Sequence, residues 1–165
     1  METNLGVALG EKGQIDEAIP HFEHPVKLAP NNADAHYSLG MALVMKGQRA
    51  NGLAEWRVAL KKDPDNLESL NDIAWLLATA ADPALRNGNE AVSLAGHAVQ
   101  LTSSREPMLL STLAAAFAET GDFDKAIDLE QQAAGVASQQ GNSRLAAAPN
   151  DRLTLFQAKT PIRQR

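Results

Sequence analysis

Apolar residues along this chain recur at intervals of three and four, the spacing of one face of a helix, and single glycines and prolines punctuate the runs. Displacing the sequence by 34 residues lays Leu5 and Gly6 on Leu39 and Gly40, Leu9 on Leu43, Lys12 on Lys46, Gly13 and Gln14 on Gly47 and Gln48, Phe22 on Trp56, and Pro30 on Pro64. So many coincidences at one offset mark an internal repeat whose unit is a supersecondary element. Each unit reads as two helices, A and B. The A helix ends at Gly13 or Gly47, the B helix carries the aromatic, and the proline closes the unit.

A third copy begins in register, with Ile73, Ala74 and Leu77, but Ala91 stands 39 residues after Gly52. The five extra residues fall between Ala80 and Asn89, where Asp82-Pro83 and Asn87-Gly88 are turn chemistry, so the loop between the helices is expected to be longer. A fourth copy places Leu113, Ala114, Phe117, Gly121, Ala126 and Ala133 in matching roles. The apolar stretch from Leu145 to Phe156 then reads as a cap over the last exposed face. The expected divisions are 1–32, 33–66, 67–106, 107–140, and a capping helix with a basic tail over 141–165.

Composition agrees with an all-α chain of one array: 165 residues, 44% hydrophobic, only 4% aromatic, and rich in alanine and leucine. With no cysteine, disulfides, thiolate metal sites and a cysteine nucleophile are excluded. No basic leader and no long apolar run occurs, so a soluble chain without membrane insertion is expected; the compartment stays open, with the cytoplasm favoured. The net charge of −5 is uneven. Arg144, Arg152, Lys159, Arg163 and Arg165 against Asp151 give the last 25 residues +4 and leave −9 on the first 140. An acidic body disfavours nucleic acid as a partner.

The residues quoted resemble the tetratricopeptide repeat (TPR) family over 1 to about 140, repeat two most closely through Leu39, Gly40, Leu43, Gly47, Trp56, Ala59 and Pro64, with Gly52 in place of an alanine. The stretch from Ala74 to Gly88 is similar to the closing TPR segment of larger bacterial proteins. The resemblance implies an all-α, right-handed α-solenoid of about four helix-turn-helix repeats with a C-terminal capping helix. Several residues depart from the pattern. Pro25 inside helix B of repeat one is expected to kink or break it near His21. Met1 begins inside an A helix, which is expected to fray. Glu130 takes the place of the aromatic in repeat four, so its site must be open or bridged. Asn150 or Asp151, after Pro149, is expected to cap the second part of a split capping helix.

The resemblance also implies a concave groove lined by A helices. Tyr37, Met41, Val44 and Met45 form a stripe at helical spacing, Asn71 and Trp75 occupy the equivalent face of repeat three, and Asp34 and Glu68 add negative charge at the groove. These side chains read either as a binding surface or as packing between neighbouring A helices. The carboxylate clamp of one TPR subgroup cannot be assembled, because Thr3, Val7, Ser38, Glu68 and Asp72 stand at its positions. Complementarity favours an apolar segment flanked by Lys or Arg, a description that the chain's own basic tail, or a second copy's, satisfies. The expected function is a non-enzymatic protein or peptide scaffold, with self-association as a homo-oligomer or service as an accessory domain of a larger enzyme as alternatives. No cofactor, metal or catalytic residue is expected: His21 and His24 offer two ligands without a third, His36 and His97 read as structural or surface residues, and no P-loop, G-x-S-x-G or G-x-G-x-x-G occurs.

Overall fold

The computed structural model describes residues 2–164 except 143, 145, 147 and 148. The expectations for Met1, for Leu145, for Arg165 and for the split just before Pro149 fall outside the described residues. The described residues form α1 (Glu2–Glu11), α2 (Ile15–Leu28), α3 (Ala33–Met45), α4 (Arg49–Lys62), α5 (Leu67–Thr79), a 3-10 turn (Pro83–Leu85), α6 (Gly88–Leu101), α7 (Pro107–Glu119), α8 (Phe123–Gln139) and α9 (Pro149–Gln157), with no strand among them. The odd-numbered helices α1 to α7 occupy the A positions and the even-numbered ones the B positions. The chain divides into two compact units, Met1–Ser69 and Leu70–Arg165.

In the first unit, the A-to-B turns close on Gly13 and Gly47, whose φ of 77° and 86° is the left-handed conformation that only glycine adopts at no steric cost. The following residue then reaches back, Gln14 N–H to Leu9 O and Gln48 N–H to Leu43 O at 2.9 Å each, which satisfies carbonyls that a helix end leaves open. Asn32 caps α3 by accepting from Ala35 N–H at 3.1 Å. Ala18, Ile19, Phe22, Leu39 and Ala42 form the core, flanked by Leu9, Ile15, Val26 and Leu43.

Helix α2 is not broken at Pro25; it runs from Ile15 to Leu28 with Pro20 and Pro25 inside it. The buried side chains Ala18, Ile19 and Phe22 lie between or beside the two prolines and fasten the helix to the core. Pro20 frees the carbonyl of Asp16, an exposed residue where water can replace the lost bond. Tertiary burial therefore overrides the local penalty.

In the second unit the core is built on α5 and α7, with Leu70, Ile73, Leu77 and Leu110 almost wholly buried. The lengthened loop is pinned: Asp82 caps the 3-10 turn through Ala84 N–H at 2.9 Å, and Arg86 Nη1 donates to Ala80 O at 3.0 Å and Ala81 O at 3.1 Å. Arg86 Nε also donates to Glu119 Oε1 at 3.0 Å, tying the loop to the end of α7. Helix α9 opens on Pro149, so Asn150 and Asp151 stand in its first turn and not at its cap. Proline suits that position because the N–H it lacks has no helical partner there. Phe156 of α9 is fully buried against Ala114, Ala118 and Ala126.

Candidate functional site

Each unit carries its own cavity against A helices. In the first unit a cavity of about 280 Å³ is lined by Gly6, Val7 and Gly10 of α1, by Phe22 of α2, and by Tyr37, Met41 and Met45 of α3 among others. Tyr37 stacks on Trp56, with ring centroids 6.3 Å apart and planes at 24°, and Trp56 Nε1 donates to the Tyr37 carbonyl at 3.2 Å. Tyr37 thus serves as packing on one side and as cavity wall on the other. Val44 is placed elsewhere. Its Cγ2 occupies the space above Gly52 of α4, and it is not among the lining residues. Asp34 and Glu68 are exposed and line neither cavity.

The second unit's cavity, about 320 Å³, brings Asn71 and Trp75 of α5 together with Met108, Ser111 and Thr112 of α7, Glu130 of α8 and Arg152 of α9. Thr112 Oγ1 donates to Asn71 Oδ1 at 2.7 Å, and Asn71 Nδ2 donates to Asp72 Oδ1 at 3.1 Å, which orders the polar rim. Repeat arithmetic explains why space exists here. Ser111 and Glu130 stand 74 residues after Tyr37 and Trp56, so a short hydroxyl and a carboxylate replace two stacked aromatics.

Glu130 is 0% exposed, and it is bridged as its burial requires. Oε1 accepts from Ser111 Oγ at 3.0 Å and from Arg152 Nη1 at 3.2 Å, while the Arg152 guanidinium lies over the Trp75 ring, 5.5 Å from its centroid. Oε2 has no hydrogen-bond partner among the described residues. Burial holds this carboxyl above the ordinary glutamate value, although Arg152 and the Ser111 bond both pull it down.

The segment after α9 lies in the same unit. Ile162 packs beside the Phe156 cluster, Gln164 N–H donates to Thr79 O at 2.7 Å, and Arg163 Nη1 donates to Ala78 O at 3.4 Å. Arg163 Nη2 also pairs with Glu119 Oε2 at 2.6 Å, a charge contact whose angle is not that of an aligned hydrogen bond. The chain's own tail is therefore held by the ends of α5 and α7 through one apolar residue, one arginine and a main-chain bond. The expectation of an open or bridged site at Glu130 holds, since its carboxyl is bridged and lines a cavity; Arg152 as the bridging partner was not foreseen from the sequence.

No group of three or more His, Asp or Glu among the described residues could hold a metal ion. His36 is buried, with Nδ1 2.7 Å from Glu55 Oε2 and Nε2 3.1 Å from Pro30 O, which is a structural role. No helix among the described residues is long and apolar enough to cross a membrane.

The fold is shared with MamA from Desulfovibrio magneticus RS-1, at a TM-score of 0.70 and 14% identity over 95% of this chain and 93% of that one. It is shared equally with YrrB, described as a TPR protein with an unusual peptide-binding site, at a TM-score of 0.65 and 17% identity over 95% and 85%. Residues 6–47 match the model of the TPR repeat family. Residues 6–47 thus carry a tetratricopeptide repeat, and the fold of the chain is that of TPR proteins. A stretch of 91 residues is also 33% identical to cellulose synthase operon protein C of Escherichia coli K12, covering 51% of this chain and 8% of that protein. The chain thus spans a small part of the length of that relative. Its class is the all-α solenoid, a fold that serves as a scaffold for protein–protein interaction, typically without catalysis of its own.

Proposed function

We propose that this TPR array binds an extended protein segment, apolar with Lys or Arg flanks, along the A helices that line its concave groove. The repeats are taken as 1–32, 33–66, 67–106 and 107–140, followed by the cap over 141–165. The observation that carries the reading is the tail: the C-terminal ends of the A helices α5 and α7, beside the Asn71 and Trp75 face, hold a segment of this chemistry, Ile162 and Arg163, in cis. Tyr37, Met41 and Met45 supply adaptable apolar contact in the first unit, and Asn71 and Trp75 do so in the second. The peptide-binding site named for YrrB gives the groove a precedent in a protein of the same fold.

The test is a peptide array probed with the wild-type chain and with Met41→Glu and Asn71→Ala variants of equal helicity by circular dichroism. Wild type is expected to select apolar peptides with basic flanks, and the variants to lose them. Binding by none, or by all alike, overturns the groove. A second reading, self-association, draws on the same tail, because a segment that docks in cis has the chemistry to dock on a second copy. A size that rises with concentration in sedimentation would favour it.

A further inference from the structure

The cavity against Trp75 has a feature that groove binding in general does not require, a buried carboxylate oxygen with nothing to accept from. Its wall is apolar where Trp75 and Met108 line it, and Met108 is 61% exposed, so the cavity is approachable from solvent. Oε1 of Glu130 is saturated by Ser111 and Arg152, so a ligand meets only Oε2. A planar guanidinium gains its advantage by bridging both carboxylate oxygens, an option closed here. A compact ammonium on a flexible methylene stem needs one acceptor at depth and an apolar wall for the stem.

Resting on the reading that the A helices bind a segment, we propose that this cavity is a receptor for a lysine side chain of that segment. The ammonium is received by Glu130 Oε2, and the methylene stem lies along Trp75 and Met108. The proposal fixes which residue of the bound segment enters the second unit, and it separates lysine from arginine as the basic flank read there. It also gives Arg152 a positioning role, since its bond to Oε1 and its stacking on Trp75 turn Oε2 toward the ligand as the remaining acceptor.

The experiment uses the full chain and a labelled apolar pentapeptide with lysine at its centre, beside three counterparts carrying arginine, acetyl-lysine or norleucine there. Lysine is expected to be preferred over norleucine and acetyl-lysine by on the order of tenfold, the scale of one charge-assisted hydrogen bond. Glu130→Gln keeps an acceptor for Ser111 and Arg152, and it should erase the preference while leaving norleucine binding unchanged. Should that variant lose helicity, wild-type chain alone decides: the indole N–H resonance of Trp75 must reach its shifted position at roughly tenfold lower concentration of the lysine peptide than of the norleucine one, while that of Trp56 stays. Binding of all four peptides alike, or a preference for arginine, overturns the lysine receptor and leaves groove binding standing. Failure of all four to bind removes both.

Discussion

Gly52→Ala tests how close α3 and α4 lie. Helix propensity alone makes the change favourable by about 1 kcal/mol, and the repeat pattern points the same way, since the equivalent residues Ala18, Ala91 and Ala126 are all buried alanines. The structure argues the opposite. A Cβ at Gly52 would stand 2.5 Å from Val44 Cγ2, 2.7 Å from the Gly40 carbonyl oxygen and 3.2 Å from Val44 N. Two of these three are main-chain atoms of α3, so relief requires the helices to part. Overpacking of this kind costs about 1–3 kcal/mol, and after the propensity gain a net loss of about 1 kcal/mol is expected.

Val44→Ala removes two methyl-sized groups from a half-buried position and should itself cost about 1 kcal/mol. The double variant should then be more stable than the sum of the two losses by about 1 kcal/mol, because the side-chain clash disappears while the approach of the Gly40 carbonyl remains. The assay is urea unfolding followed by fluorescence of Trp56, buried at 3% exposure in this helix pair, in a Trp75→Phe background. A raised midpoint for Gly52→Ala, or strict additivity in the double variant, would refute the close approach.

The same substitution should have the opposite sign at Gly135 in α8, where an added Cβ meets nothing within 4 Å. There Gly135→Ala is expected to stabilise by up to about 1 kcal/mol in thermal unfolding, and a lowered midpoint would count against an exposed, unhindered helix position. Glu130 makes stability depend on pH. Its carboxyl titrates above the ordinary 4.5 because of burial, so the folded state keeps a proton that the unfolded chain has released. The contribution is full below 4.5 and is lost as pH rises through the raised value. Wild type and Glu130→Gln should therefore be closest in acid, with the variant gaining relative stability toward neutrality; a gap that does not change with pH contradicts this.

The 34-residue offset made the A and B helices legible because it reports local geometry: a glycine at each A-to-B turn, a proline closing the first two units, and small residues where helices approach. The Gly40–Trp56 contact and the left-handed turns at Gly13, Gly47 and Gly121 follow directly from it. A break at Pro25 does not occur, because a propensity argument sees the lost bond and not the burial of Phe22 that offsets it. Val44 misled for a geometric reason. It shares a helical stripe with Tyr37 and Met41 in projection, but the empty Gly52 surface turns its methyl groups toward α4. The destinations of Arg152 and Arg163 were not legible at all, since they pair with Glu130 and Glu119, residues 22 and 44 positions earlier, across no repeat interval. Periodicity carries no information about a segment that lies outside the period.

The segment after α8 bears on how the second unit would meet a partner. A terminal helix pair must cover its apolar face, and here the cover supplies Phe156 and Ile162 to the core together with Arg152 and Arg163 to two acidic residues. The cap and the proposed ligand thus share one chemistry. A tethered segment competes at a high effective concentration, on the order of millimolar for short links, so a free segment of the same composition is at a disadvantage wherever the tail already sits. In each unit the tail leaves a cavity unfilled, that of Tyr37 and Met41 in the first and that of Trp75 and Glu130 in the second, where the proposed lysine differs from the arginine chemistry of the tail.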